Sequence, residues 1–152
     1  MPTPRADASH SEAATDEAAI KELVAFETGA LDPAKFPHSE HLRMGYEMLS
    51  RYSFGEAVDR FSRGLKLLTA RAGQPQLYHE TITVAFLALI NQRRAPGGGQ
   101  SWSEFKRTNA DLFDKRCIEK WYSVEELASD LARTTFCLPQ GAAVYPATAR
   151  PF

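Results

Sequence analysis

The sequence has few cysteines and almost no net charge, and each of these shortages excludes a class of protein. Cys117 and Cys137 are the two cysteines, so no disulfide framework is possible beyond a single bond. Neither cysteine has a nearby His or second Cys that would suggest a metal or redox motif, and both are interpreted as reduced thiols. The formal net charge of −1 gives no strong field to attract nucleic acid or anionic lipid, so neither is expected as a partner.

The sequence also lacks a long apolar run. The most apolar stretch, Ile82 to Ile90, is too short to cross a bilayer. Arg5 is followed by acidic residues and by no apolar segment, so no signal peptide is expected and the predicted location is cytoplasmic.

The 152 residues are enough for one domain with a real core. Nothing in the sequence decides whether the protein is a homo-oligomer.

The spacing of apolar residues and the helix-boundary signals predict an all-α protein, a single-domain helical bundle of about six helices. Residues 1–14 lack periodicity and are expected to form a disordered tail. Residues 15–138 are predicted to form the bundle, and residues 139–152 an extended C-terminal tail. Ser-x-x-Glu capping boxes predict helix starts at Ser53, Ser101 and Ser123. No strand pair is predicted.

Two predicted helices carry polar groups on an otherwise apolar face. The first helix is expected to begin at Thr15 or Asp16, and Glu27 interrupts its apolar stripe of Ile20, Leu23, Val24 and Leu31. The second helix opens at Pro37 and places His38 and His41 on its apolar face, one turn apart. The helix dipole disfavours imidazolium in a first turn, so both rings should be neutral, which is the form that binds metal.

The fourth helix, from about Gln76 to Arg93, is expected to be the central one because it is apolar on every face. The i, i+3, i+7, i+11 spacing puts His79 on one face with Ile82, Phe86 and Ile90. A buried imidazole without a partner would cost about 1–3 kcal/mol. His79 is therefore predicted to have a specific partner.

Glu27, His38, His41 and His79 thus lie on core-facing stripes of three helices, which is how helical bundles build metal sites. The favoured ligands are Glu27, His41 and His79, with His38 as a further candidate. Two His and one carboxylate suit ferrous iron, whereas a His-rich tetrahedral site suits zinc. The expected chemistry is metal-assisted oxidation or hydrolysis of a small molecule.

Further polar residues are candidates for a role around such an ion. Glu40 and Glu80 are candidate general bases, or groups that hydrogen-bond to a ligand residue. Arg43 and Arg133 are candidates for binding an anionic ligand. The remaining candidates could orient the ligands, or could simply pack or bond back to the preceding helical turn: Tyr78, Thr81, Thr83. In the alternative interpretation, the histidines are hydrogen-bonded core residues and Glu27 is a salt-bridged acid.

Several motifs resemble a family of small all-helical bacterial proteins of unknown function. They are the His-x-x-His-Leu motif at His38–Leu42, the Tyr-His-x-Thr-x-Thr motif at Tyr78–Thr83, Tyr122-Ser123 and Ala132-Arg133. The resemblance covers about residues 27–136. It implies an all-helical fold and adds Tyr122 to the candidate site residues, but it implies no reaction.

A second, local resemblance suggests a different function. Gly45-Tyr46, Gly55-Glu-Ala57 and Gly64-Leu65 are similar to one tetratricopeptide repeat, in which small residues let paired helices approach. A stable solenoid needs about three such units, and no second copy follows at a spacing of about 34 residues. The alternative function is therefore a non-catalytic helical interaction module, with one such hairpin and structural histidines.

Overall fold

The computed structural model describes residues 6–94 and 97–141, with side chains from residue 15 onward, and this part of the chain is all-α without a strand. The α-helices are α1 (Ala6–Glu27), α2 (His38–Arg51), α3 (Phe54–Arg71), α4 (Glu80–Arg93), α5 (Trp102–Thr108), α6 (Val124–Ala128) and α7 (Asp130–Thr134). Short 3-10 turns connect them at Pro33–Lys35, Pro75–Leu77, Ala110–Phe113 and Lys115–Lys120. None of the described helices is both long and apolar enough to span a membrane.

Three helix boundaries differ from the prediction. Helix α1 begins at Ala6 and not at Thr15 or Asp16. Helix α4 begins at Glu80 and not near Gln76, because a 3-10 turn precedes it and His79 is its N-cap. The last predicted helix is interrupted at Ser129, whose hydroxyl caps α7 by accepting a hydrogen bond from Ala132 N. Residues 1–5 and 142–152 of the predicted tails lie outside the described residues.

The core is centred on α2 and α4, which pack extensively against each other, with α3 beside both. Helix α2 buries the apolar face predicted for it, and α4 is buried along most of its length. Two of the three glycines of the repeat-like hairpin, Gly45 and Gly64, do allow close approach, but the nearest atoms belong to helices outside that hairpin. A Cβ at Gly45 would lie 2.9 Å from Leu87 Cδ2 in α4, and one at Gly64 would lie 2.5 Å from Phe26 Cε1 in α1.

The apolar stripe predicted for α1 is wrong in part. Ile20 and Val24 are 46% and 53% exposed, whereas Leu23 and Phe26 are buried. The ring of Phe26 occupies the hollow over Gly64 and packs on two further rings, Phe36 at 5.3 Å and Phe61 at 5.1 Å between centroids. This aromatic contact fixes the rotation of α1 about its axis, and it places Glu27 at the margin of the core.

Candidate functional site

His79 is the N-cap of α4 and uses both of its ring nitrogens. Nδ1 accepts a hydrogen bond from Ile82 N at 3.1 Å, and Nε2 donates to the carbonyl oxygen of Leu127 at 2.7 Å. A carbonyl oxygen can only accept, so Nε2 carries a proton. Nδ1 accepts a hydrogen bond and therefore carries none, so the ring is neutral. The prediction that His79 requires a specific partner is confirmed. Its position at the helix cap leaves no nitrogen available for a metal in this arrangement.

His38 lies in the first turn of α2 and contacts both the core and the 3-10 turn at Ala110–Phe113. Its Nε2 donates to the carbonyl oxygen of Leu112 at 2.8 Å, and its ring packs edge-on against Phe86 at 4.9 Å. Burial lowers the pKa of His38, although the bond to Leu112 opposes this effect. The ring is therefore neutral at neutral pH, with its second nitrogen unprotonated.

His41 follows one turn later and is more deeply buried. Burial, with smaller electrostatic contributions from the neighbouring His38 and Lys115, lowers its pKa to about 4. Its ring packs on that of Phe36, with centroids 4.7 Å apart. Like His38, it is a neutral imidazole at neutral pH.

One pocket brings the three histidines together. It has a volume of about 260 Å³, and its other walls come from α2, α3, α4 and the turns beside them. Most of its lining is apolar, and the lining residues besides the histidines are Leu42, Phe61, Leu65, Leu77, Ile82, Thr83, Phe86, Leu87, Ile90 and Lys115. Three of the four candidate metal ligands, His38, His41 and His79, thus line one pocket, whereas Glu27 is not among its lining residues.

Lys115 is a pocket residue that the sequence analysis missed. It begins the 3-10 turn at Lys115–Lys120, is exposed, and lies near enough to His38 and His41 for its charge to lower the pKa of each. No helical periodicity marks this segment. The sequence thus carries no signal that would assign Lys115 to the pocket.

The three candidate carboxylates do not line this pocket, because each is held by another side chain. Glu27 accepts from Arg60 Nη1 at 3.0 Å, and Glu40 accepts from Arg43 Nη2 at 2.7 Å. Glu80 accepts from the hydroxyl of Tyr78. Within the residues described, no group of three or more His, Cys, Asp or Glu side chains is arranged to hold a metal ion.

The two candidate arginines also have partners within the chain. Arg43 bridges Glu40 and Glu22, and so joins α2 to α1. Arg133 Nη1 donates to the carbonyl oxygen of Gln76 at 3.0 Å. Tyr78 is not among the pocket-lining residues. Its burial, and to a smaller extent its hydrogen bond to Glu80, raise the pKa of its hydroxyl above the ordinary value.

The remaining candidates attach helices to main-chain atoms. Thr83 donates back to the carbonyl oxygen of His79 at 2.7 Å, as expected of a threonine that bonds to the preceding turn. Thr81 donates to the Thr135 carbonyl oxygen at 2.8 Å and accepts from Cys137 N at 3.0 Å. Tyr122 donates to the Cys137 carbonyl oxygen at 2.7 Å. Thr81 and Tyr122 therefore hold the C-terminal segment, here residues 127–137, on the bundle.

Comparison of the chain with protein-family models, curated proteins and solved structures finds no significant match among any of the three.

Proposed function

We propose that this protein binds one small, largely apolar molecule in the histidine-lined pocket. The observation that carries the proposal is the composition of the cavity, in which apolar side chains from three helices surround a few polar groups. Binding sites for small molecules are typically concave and apolar, with a small number of polar groups that fix orientation. An apolar cavity of about 150 Å³ is large enough to hold benzene. A cavity of about 260 Å³ suits a single substituted ring or a short chain.

Three of the polar groups lie close to one another at this pocket. His38 and His41 lie in the first turn of α2, and the charge of Lys115 affects both rings. Neutral imidazoles with one unprotonated nitrogen can accept a hydrogen bond from a ligand. The interior side chains, such as Phe61, Leu87 and Ile90, would contact the apolar body of the molecule.

The proposal is tested by filling the pocket. Ile82 is a half-buried lining residue, so Ile82→Phe should reduce the cavity and abolish binding of fragments that raise the melting temperature of the wild type. Val124→Phe is the control, because Val124 is 61% exposed and lies outside the pocket. Fragments that stabilise both variants as strongly as the wild type would locate binding elsewhere and refute the proposal.

The metal-dependent reaction is kept as a second candidate, supported by the way His38 is oriented. Histidines that bind metal usually donate their other ring N–H to a backbone carbonyl or carboxylate, and His38 makes such a bond to Leu112. The two rings, with centroids 6.4 Å apart, would need further ligands from solvent or substrate. Elemental analysis of untagged protein, with His41→Gln as control, tests this candidate for iron and zinc.

A further inference from the structure

The charges around the pocket indicate the kind of molecule that fits it. No Asp or Glu lines the pocket, as far as the described residues extend, and Lys115 is its one charged lining residue there. The three histidines are uncharged. Burial keeps His38 and His41 neutral, and the hydrogen bonds of His79 at the helix cap require a neutral ring. The described lining therefore carries a net positive charge that no lining residue compensates.

The two acids whose charges act on His38 and His41 are engaged in other contacts. Asp114 is close enough to influence His38, but its Oδ1 accepts from Arg116 N at 2.9 Å and caps the next turn. Glu40 influences His41, but its carboxylate is paired with Arg43. Lys115 itself forms no ion pair within 4.0 Å in the described part of the chain. Its ammonium group is thus available to a ligand at the pocket.

The backbone contributes to the same electrostatic preference. His38 and His41 lie in the first turn of α2, so the partial positive charge of that helix terminus is near the polar part of the pocket. The N-cap, Pro37, has no side chain that can cap the turn. An anionic group near Lys115 would be stabilised by both charges, whereas a cationic group would be opposed by both.

Resting on the proposed function, we infer that the ligand is a small organic acid, bound with its apolar body inside the pocket and its carboxylate at Lys115. The apolar lining excludes a second charged group in the interior, because an unpaired buried charge is strongly unfavourable. The exposure of Lys115 places the carboxylate at the solvent-facing side, where it keeps part of its hydration. The substrate class is therefore a monocarboxylate with one aromatic ring or a short aliphatic chain.

The test uses probes of one shape and three charges: benzoate, benzamide and benzamidine, which are anionic, neutral and cationic at neutral pH. Calorimetric titration of the full chain should give the tightest binding for benzoate and the weakest for benzamidine. In Lys115→Gln, benzoate should lose about twofold to fivefold in affinity, as expected of an exposed ion pair. Benzamide should be unaffected. The preference for benzoate should also weaken as salt is raised.

Lys120→Gln provides the matched control. Lys120 belongs to the same 3-10 turn, is exposed, and does not line the pocket, so the variant removes the same charge from the same segment. Equal loss of benzoate binding in Lys115→Gln and Lys120→Gln would overturn the inference. Equal affinity of the wild type for the three probes would also overturn the inference. If Ile82→Phe abolished that binding, the proposed function would still stand. Failure of all three probes to bind would overturn the inference, and the fragment screen would then decide the proposed function separately.

Discussion

His79 and the carbonyl oxygen of Leu127 are joined by a hydrogen bond of 2.7 Å, which connects the first residue before α4 to the end of α6. The same imidazole caps α4 through Ile82 N. One side chain therefore stabilises a helix terminus and a tertiary contact, and it is 8% exposed. Replacing it affects both interactions at once.

We expect His79→Ala to destabilise the protein by about 2–4 kcal/mol, because it leaves a cavity and an unpaired Leu127 carbonyl group. His79→Asn should recover about 1 kcal/mol of this loss, since asparagine is a good N-cap but is too short to replace the ring. Urea unfolding of the three proteins measures both differences. Equal stability of the alanine and asparagine variants would mean that the cap contributes nothing.

The low pKa of His41 predicts a specific dependence of stability on pH. The unfolded chain binds this proton near pH 6.5, whereas the folded protein binds it only near pH 4. Between these values the unfolded state holds more protons, so stability is complete above about pH 6.5 and falls as the pH is lowered. The expected loss from His41 is about 2 kcal/mol at pH 5.

His41→Gln is the variant that isolates this contribution, because glutamine does not titrate. The wild type should lose more stability between pH 7 and pH 5 than His41→Gln does, as measured by urea unfolding at each pH. His38 contributes in the same direction, so the variant should retain part of the dependence. Parallel pH profiles would show that His41 titrates normally in the folded protein.

Gly64 and Gly55 form a matched pair in α3 with opposite expected outcomes. A Cβ at Gly64 would lie 2.5 Å from the ring of Phe26, whereas nothing lies within 4 Å of one at Gly55. Gly64→Ala should therefore destabilise the protein by about 1–3 kcal/mol through overpacking. Gly55→Ala should stabilise it by up to about 1 kcal/mol, because alanine favours the helix. Melting temperatures that shift in the same direction would contradict the packing described for α1.

Thr81 is expected to control the attachment of the C-terminal segment. Thr81→Val keeps the shape of the side chain but removes the bonds that its hydroxyl makes to Thr135 O and Cys137 N, at a cost of about 1–3 kcal/mol. Hydrogen exchange should become faster at Cys137 while α4 stays protected. Thr28→Val is the control, since Thr28 is exposed and bonds locally to Val24 O. Unchanged exchange at Cys137 would show that other contacts hold the segment.

The parts of the fold that depend on local sequence could be predicted. The apolar residues of α2 recur with helical spacing on the face that it buries. Two of the three predicted capping boxes, at Ser101 and Ser123, form as expected. Ser53 also caps α3, although Glu56 turns to Arg60 and does not complete the box. These features involve residues within one or two turns of each other, so a single sequence contains the information needed to find them.

The features that were missed depend on tertiary contacts. Ile20 and Val24 are as apolar as the residues that α1 buries, and the rotation of the helix is set by the fit of Phe26 over Gly64. The start of α4 depends on an imidazole cap, which the sequence does not distinguish from a core histidine. Lys115 reaches the pocket only because the 3-10 turn that it begins packs against α4. No periodic pattern encodes these positions.

The attachment of the C-terminal segment has a consequence for how freely its sequence can vary. His79, Thr81 and Tyr122 bond to main-chain atoms of residues 127–137 and do not depend on the side chains there. Every amino acid supplies a carbonyl group, so many substitutions at exposed positions such as Leu131 leave these bonds intact. In a selection from random variants, diversity should therefore accumulate in the segment, whereas the three residues that bind it should tolerate very few replacements.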